Sequence, residues 1–290
     1  MSVSIVTVLH RSAPQLARLL ASLERHAPGV QLVVVDTGPD DGGAALAAAQ
    51  GAEVIALPQN PGFGPACNAG VARARHQITV LLNPDVVLPD AGLLSLAAAA
   101  RAHDALHVPA LRNPDGSAQR SAHPVPGGLD ALLPALVPTV LLPARTRRGA
   151  EPWRPDGAGP RAVGWAVAAA LAARTATLRA LGPFDPEAFL HYEDLDLCLR
   201  AAARGVPTIL HPALALEHEG GHSTRRTPDR LREEARRRRL VVGARRGPRA
   251  RTADDAAQAL TFLTRGARPG AAGSRAREQL RALRDARRDG

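Results

Sequence analysis

The sequence predicts an α/β fold with a mainly parallel central sheet and a basic, helical C-terminal extension. Three observations lead there. Apolar runs of strand length alternate with helix-patterned segments over residues 3–83, which is the pattern of β–α–β units with both sheet faces covered. Two acids, Asp36 and Asp85, stand at the ends of such runs, and ligands bind these sheets outside the carboxyl ends of the strands. The charge is lopsided: residues 1–222 carry 17 Arg against 19 acids, and residues 223–290 carry 20 Arg against 8 acids.

The elements follow in order. Residues 3–9 (VSIVTVL) are a buried-strand run, and Leu16, Leu19, Leu20 and Leu23 then recur at helical spacing. Residues 30–36 (VQLVVVD) are the second strand, 41–51 a short helix, 52–58 (AEVIALP) the third strand, 64–76 a helix and 77–83 (QITVLLN) the fourth strand. Asp85 therefore lies just past a strand that reads as central. Its tripeptide, Asn83-Pro84-Asp85, returns as Asn113-Pro114-Asp115, but Gly116 follows the second copy and makes that copy a turn. Residues 117–162 are rich in Pro, Gly and Arg and enclose a broken apolar stretch, 129–143. Residues 162–175 are a strand or a buried helix. Residues 193–205 are a helix ended by Gly205, with Asp196 and Arg200 paired on its surface at i,i+4. Residues 206–221 hold two short strands and a loop, and 223–290 are helices divided near 265–274.

Bulk properties bound the function. A chain of 290 residues that is 45% hydrophobic suits one large domain plus an appendage, or two small domains. Aromatics are only 2%, so Leu, Val and Ala fill the core. All 37 basic residues are Arg, which reads first as the codon bias of a GC-rich genome. Cys67 and Cys198 form no CxxC pair and suggest no disulfide framework. No run reaches the ~20 apolar residues of a membrane span, and the N-terminus lacks the pattern of a cleavable leader. The expectation is a cytoplasmic protein.

Three clusters carry chemistry. "NPGFGPACNAG" (60–70) is a Gly-rich loop opening a helix, and such loops aim backbone N–H groups at phosphate. It fails as a dinucleotide fingerprint, because Cys67 occupies the third glycine position; the bland alternative is a plain β–α turn. Asn60 and Asn68 flank it and are placed to hydrogen-bond a ribose or base. Glu193 and Asp194 stand at a helix start, where the dipole favours carboxylates; helix capping is the alternative. "EHEGGHS" (217–223) ends an apolar strand with two histidines, candidates for metal ligands or for structural roles.

Together these pieces resemble glycosyltransferase family 2, the inverting nucleotide-sugar transferases of GT-A fold. The motifs are "VVVDTGPDDGG", "NPGFGPACNAG", "LLNPDVVL", "GPFDPEAFLHYEDLDLCLR" and "HPALALEHEGGHST", in the family's order and spacing over residues 3–224. Each is weak alone; five in sequence are specific. The "NPDGS" turn (113–117), the "VGW" at 163–165 and the Pro-rich segment between them resemble most the subfamily that adds L-rhamnose to polyprenyl-diphosphate-linked sugars.

The resemblance implies a GT-A catalytic domain over 1–222 and an Arg-rich helical extension over 223–290. It implies that Asp36 contacts the nucleobase, and that Asn60, Gly62, Gly64 and Asn68 line the nucleotide pocket. Asp85 and His218 would hold a divalent ion, Mg2+ or Mn2+. Asp194 would be the catalytic base, with Glu193 the second choice, and Trp165 would line the acceptor side or pack in the core. The implied substrates are a nucleotide-sugar donor, expected as dTDP-L-rhamnose, and a lipid-linked or other cell-envelope saccharide.

The chain departs from the family pattern at Leu9-His10-Arg11, where Thr-Tyr-Asn is usual, and at Thr37, Pro39, Ala168 and near His123. These departures touch the donor pocket more than the catalytic positions. The basic tail suits an anionic membrane surface, at about 1 kcal/mol per Arg close to it, and places the enzyme peripherally at the inner face of the membrane. Nucleic acid is not the expected partner, since no aromatic platform accompanies the charge. The alternative function is a non-catalytic protein of this fold that binds membrane or nucleic acid through its tail.

Overall fold

Strand and helix alternate along the first part of the chain as the apolar pattern demands. The computed structural model describes residues 2–57, 59–137, 141, 159–182, 184–185, 191–220 and 227–288. In chain order the elements are β1 (Val3–Leu9), α1 (Ala13–His26), β2 (Gln31–Asp36), α2 (Gly43–Ala49), β3 (Glu53–Ala56), α3 (Phe63–Arg73), β4 (Ile78–Leu82), β5 (Val86–Val87), α4 (Gly92–Ala102), β6 (Leu106–Arg112) and β7 (Ala122–His123). There follow α5 (Leu129–Leu136), β8 (Arg161–Val163), β9 (Trp165–Ala166), β10 (Ala170–Arg174), α6 (Thr175–Leu181), α7 (Glu193–Ala203), β11 (Thr208–His218), α8 (Pro228–Gly266) and α9 (Ala271–Arg288). Two compact units divide the chain: Met1–Ala122 with Pro152–Ser223, and His123–Glu151 with Thr224–Gly290.

The first unit is built on one sheet of order β3-β2-β1-β4-β10-β6-β11-β5, with β8 added beside β11. The pairs β1–β2, β1–β4, β2–β3 and β6–β11 are parallel. The pairs made by β10, β5 and β8 are antiparallel. The expected mainly parallel sheet is therefore present, with β4 in its middle. β1 is buried along its whole length, and Ile5 and Leu9 join Leu16, Leu19 and Leu23 of α1 in the core. Helix α3 packs very close to the sheet on the other side. A Cβ on Gly70 would lie 2.3 Å from Val6 Cγ1, so only glycine fits there.

Several expectations need correction. Residues 162–175, left open between strand and helix, are the strands β8, β9 and β10. Residues 206–221 hold one long strand rather than two, with a register shift between His211 and Ala215. Pro212 has no N–H to donate to a ladder, which accounts for a shift at that point. The pair Asp196–Arg200, expected on the surface, is mostly buried at 2.6 Å. Arg200 also donates to the Gly182 carbonyl at 3.0 Å and to that of Leu181, so it closes the C-terminal end of α6 from inside the unit.

The second unit is helical. The division expected near 265–274 falls between α8 and α9. A second break was not anticipated: Gly247 has φ 84° and Pro248 follows it. Arg238 grips Asp254 with two bonds of 2.8 Å, and Arg239 pairs with Asp255. Residues sixteen apart on a straight helix would stand ~24 Å from each other, so α8 folds back on itself at Gly247. Helices α5 and α9 pack on this hairpin. Part of the arginine excess is therefore internal structure.

Candidate active site

The carboxyl ends of the parallel strands carry the site. In the β1–β2 register Leu9 stands opposite Asp36, and β4 runs parallel on the other side of β1. Asp36 and the Asn83–Asp85 turn therefore lie at the same edge of the sheet. Asp36 Oδ1 accepts from the Gly38 N–H at 3.0 Å, and its Oδ2 has no partner among the described residues. His10 Nδ1 lies 3.3 Å from the Thr37 carbonyl and 3.4 Å from Asn60 Nδ2. Two positions where the chain departs from the family pattern, His10 and Thr37, thus meet beside Asp36 and Asn60.

Asn60 shapes the glycine loop by accepting from the Gly62 N–H at 2.9 Å. Gly62 has φ 97° and stands at the N-cap of α3, and Gly64 is buried in its first turn. Asn68, expected to line the nucleotide pocket, bonds to the backbone of Phe184. Its Nδ2 donates to the Phe184 carbonyl at 2.8 Å and its Oδ1 accepts from the Phe184 N–H at 3.0 Å. Phe63 also meets Phe184 edge-on, with ring centroids 6.0 Å apart. The glycine loop is therefore fastened to the segment that leads toward Glu193 and Asp194.

Those two acids open α7. His191 and Tyr192 just before them both have positive φ, 76° and 62°. Such strain costs about 1–3 kcal/mol per residue and gathers at functional sites. Glu193 is buried and lies near Cys67, whose thiol is pushed well up, first by burial and then by the Glu193 charge. Asp194 is half-buried and accepts from the Leu195 N–H at 2.7 Å. Trp165 is buried and packs on Tyr192, centroids 6.0 Å apart. Four residues on, the Ala169 carbonyl accepts from the Asn83 N–H at 2.8 Å. Residues 165–169 thereby link the start of α7 to the end of β4.

Asp85 and His218 are brought together by the pairing of β5 with β11, in which His218 stands opposite Val86. Asp85 Oδ1 is 3.4 Å from His218 Nε2. Asp85 Oδ2 accepts from the Gly220 N–H at 3.1 Å. Gly220 has φ 65°, a conformation that suits glycine and turns this N–H back to the carboxylate. Burial works to raise the Asp85 pKa, but the hydrogen bond and charge of His218 and the backbone donor of Gly220 outweigh it and hold the carboxyl below its ordinary value. The pair offers one carboxylate oxygen and one imidazole nitrogen. No cluster of three or more His, Cys, Asp or Glu suited to a metal occurs among the described residues, so an ion here would need phosphate oxygens or water as further ligands, as Mg2+ commonly does.

The turn at Asn113–Ser117 forms as expected, with the Gly116 N–H donating to the Asn113 carbonyl at 2.9 Å and Gly116 at φ 80°. It is also tied to the site. Gln119, on the return limb of this turn, bonds to both Asn113 and His218. Reading the sequence missed Gln119, because nothing local marks it. Residues 183, 186–190 and 221–224 of the two C-terminal motifs lie outside the described residues.

Comparison with known proteins shows the family and the fold. The pattern of Glycosyl transferase family 2 matches residues 4–129. An N-acetylglucosaminyl-diphospho-decaprenol L-rhamnosyltransferase of Mycobacterium tuberculosis is 30% identical over 244 residues, covering 77% of this chain and 78% of that protein. A mannosyltransferase of Pyrobaculum calidifontis, solved with GDP-Man and Mn2+, is similar at a TM-score of 0.58 and 16% identity, over 99% of this chain and 75% of that one. Glucosyl-3-phosphoglycerate synthase of M. tuberculosis, solved with Mn2+ and UDP, is similar at a TM-score of 0.54 and 20% identity, over 85% of this chain and 80% of that one. The fold is the GT-A fold. With a relative of this identity along most of its length, the chain belongs to glycosyltransferase family 2 and is an enzyme of that family.

Proposed function

We propose that the enzyme transfers L-rhamnose from dTDP-L-rhamnose to a polyprenyl-diphosphate-linked saccharide, with inversion, in one displacement. The observation that carries this reading is the 30% identity to an enzyme named for that transfer, together with Asp36, Asp85, His218 and Asp194 in one unit.

Each residue has a task. Asp36 keeps one carboxylate oxygen available for a nucleobase N–H. Asn60 and Gly62 shape the loop whose N–H groups meet the diphosphate. Asp85 and His218 would hold the cation, Mg2+ or Mn2+, through one carboxylate oxygen and one imidazole nitrogen. A bound cation supplies Lewis-acid neutralisation of the departing diphosphate. Asp194 accepts the proton of the acceptor hydroxyl as the new bond forms. Asp194 is less buried than Glu193, which suits an incoming acceptor. Because base and leaving group act on opposite sides of the anomeric carbon, configuration inverts and no covalent intermediate is needed. Trp165 acts through Tyr192, setting the backbone that presents Asp194.

The reading places the enzyme at the inner membrane face, with the second unit as its lipid-facing part. No helix among the described residues is long and apolar enough to cross a membrane. Among the described residues, the exposed large apolar side chains are Leu129, Leu136, Leu141, Leu240 and Leu263, and all fall in the second unit. Leu129 and Leu136 share a face of α5 at i,i+7. A Cβ on Gly127 would lie 2.3 Å from the Ala250 carbonyl oxygen, so the start of α5 rests beside exposed Arg246 and Arg249. An apolar ridge beside arginines is the composition of an interfacial helix on anionic lipid. Of the broken apolar stretch 129–143, residues 138–140 and 142–143 lie outside the described residues.

Calorimetry with dTDP-, UDP- and GDP-sugars, each with Mn2+ or Mg2+, tests the donor. Selective binding of dTDP-L-rhamnose is expected. Selective binding of another nucleotide-sugar, or of none, would overturn the dTDP-L-rhamnose assignment.

A further inference from the structure

We propose that Arg11 is a specificity-determining residue of the donor site: it donates to a ring carbonyl of the nucleobase and, with Asp36, selects a uracil or thymine nucleotide over a guanine one. The inference rests on the reading of Asp36 as the acceptor for a nucleobase N–H.

Arg11 has φ 53°, a left-handed conformation that asparagine adopts readily and a long side chain adopts at a cost. Asparagine is the residue usual at this position in the family pattern. The chain keeps the conformation without the residue that suits it, which points to a task for the arginine side chain. Its place agrees. A Cβ on Gly38 would lie 3.0 Å from the Arg11 backbone nitrogen and 3.6 Å from Asp36 Oδ1, so Arg11 and the Asp36 carboxylate flank one glycine where β1 and β2 end. Three acids stand on this part of the chain, and each accepts from backbone N–H groups: Asp36 from Gly38, Asp40 from Gly42, and Asp41 from Ala13 and Gly43, all at 3.0 Å. Arg11 is exposed and makes no hydrogen bond or ion pair among the described residues. Its guanidinium is available to a ligand.

The chemistry of the bases decides what that ligand is. Asp36 Oδ1 is engaged by the Gly38 N–H, which leaves Oδ2 to meet a base. A carboxylate only accepts, so it repels the bare ring nitrogen at the centre of the pairing edge of adenine or cytosine. Uracil and thymine carry one N–H there, between two carbonyls. Guanine carries two neighbouring N–H groups and one carbonyl. One carboxylate oxygen satisfies the single N–H of uracil or thymine, and the flanking carbonyls then call for donors. Arginine offers five N–H donors and no acceptor. It suits a carbonyl beside the N–H and opposes the second N–H group of guanine, where donor would face donor. Asp36 thus excludes two bases, and Arg11 decides between the remaining classes by an unpaired donor rather than by shape.

The test is calorimetry on the full chain with dTDP, UDP, GDP and pyrophosphate, each with Mn2+. Wild type should bind dTDP and UDP at least about tenfold more tightly than GDP. Arg11→Asn, which suits the left-handed backbone, should fold with a Tm no lower than wild type. It should lose about tenfold in affinity for dTDP and UDP, the worth of a hydrogen bond from a charged donor, and should bind pyrophosphate as wild type does. If Arg11→Asn does not fold, Arg11→Gly, which suits the same backbone, replaces it with the same expected losses. An equal loss for pyrophosphate would assign Arg11 to the phosphates and overturn the proposal. Unchanged dTDP and UDP affinity in the folded variant, or a wild type that prefers GDP, overturns it as well. A wild type that binds UDP and not dTDP, with the tenfold loss in the variant, leaves the role of Arg11 standing and removes the dTDP-L-rhamnose reading instead.

Discussion

Asn68 holds Phe184 by both ends of its amide, accepting from its N–H at 3.0 Å and donating to its carbonyl at 2.8 Å. These bonds fasten α3 to the segment before α7. Asn68→Ala leaves a backbone donor and acceptor without a partner, at ~1–3 kcal/mol for each group kept from water. The expected loss of stability is about 2 kcal/mol, read by urea unfolding. Asn68→Asp keeps the acceptor only and should fall between. A variant as stable as wild type would show that the clamp is slack.

Asp194→Asn should lower transfer by about 10²–10⁴-fold, the usual worth of a positioned general base. Donor affinity in the same variant should change by less than about threefold. Glu193→Gln should cost less, since Glu193 is buried beside Cys67. Single-turnover transfer and donor calorimetry separate the two outcomes. Unchanged turnover in Asp194→Asn would remove that residue from the mechanism.

Asp85 makes stability depend on pH. Its folded-state pKa is depressed: burial opposes this, but the His218 and Gly220 contacts prevail. A depressed carboxyl stabilises the fold fully above its unfolded pKa of about 4 and loses that contribution as pH falls through the folded value. Unfolding free energies of wild type and Asp85→Asn, measured from pH 6 downward, should therefore converge in acid. A constant gap over the whole range would show that the carboxylate gains nothing from its neighbours.

Leu129 and Leu136 should govern binding to lipid. Their paired replacement by Asp should cut flotation with vesicles containing anionic lipid by at least about tenfold, since each buried leucine is worth ~1.5–3 kcal/mol. Binding to purely zwitterionic vesicles should be weak for both proteins, and salt should weaken the anionic case. Transfer to a detergent-dispersed acceptor should persist in the variant. Retained flotation would place the lipid contact elsewhere on the chain.

Much of the first unit was legible because its signals are local. Strand runs, helical leucine spacing and the acids Asp36 and Asp85 each need only a few neighbouring residues to be recognised. The Gly-Pro pair at 247–248 also marks the fold-back of α8 locally, but the arginine-rich run around it matches a continuous helix. Pro212 interrupts the apolar pattern of 206–221 and marks a division there, whereas the sheet accommodates it in a register shift. The i,i+4 spacing of Asp196 and Arg200 shows adjacency on a helix and says nothing of which face is covered.

The linear order of residues by itself determined the α/β alternation, the family and the acids that end the strands. Tertiary structure alone decided who meets whom: His218 beside Asp85, Gln119 behind His218, and Asn68 on Phe184. The physical reason is range. Periodicity and turn chemistry act between near neighbours in the chain, whereas a site assembles through strand pairings and side-chain hydrogen bonds between distant segments, which exist only once the sheet has closed.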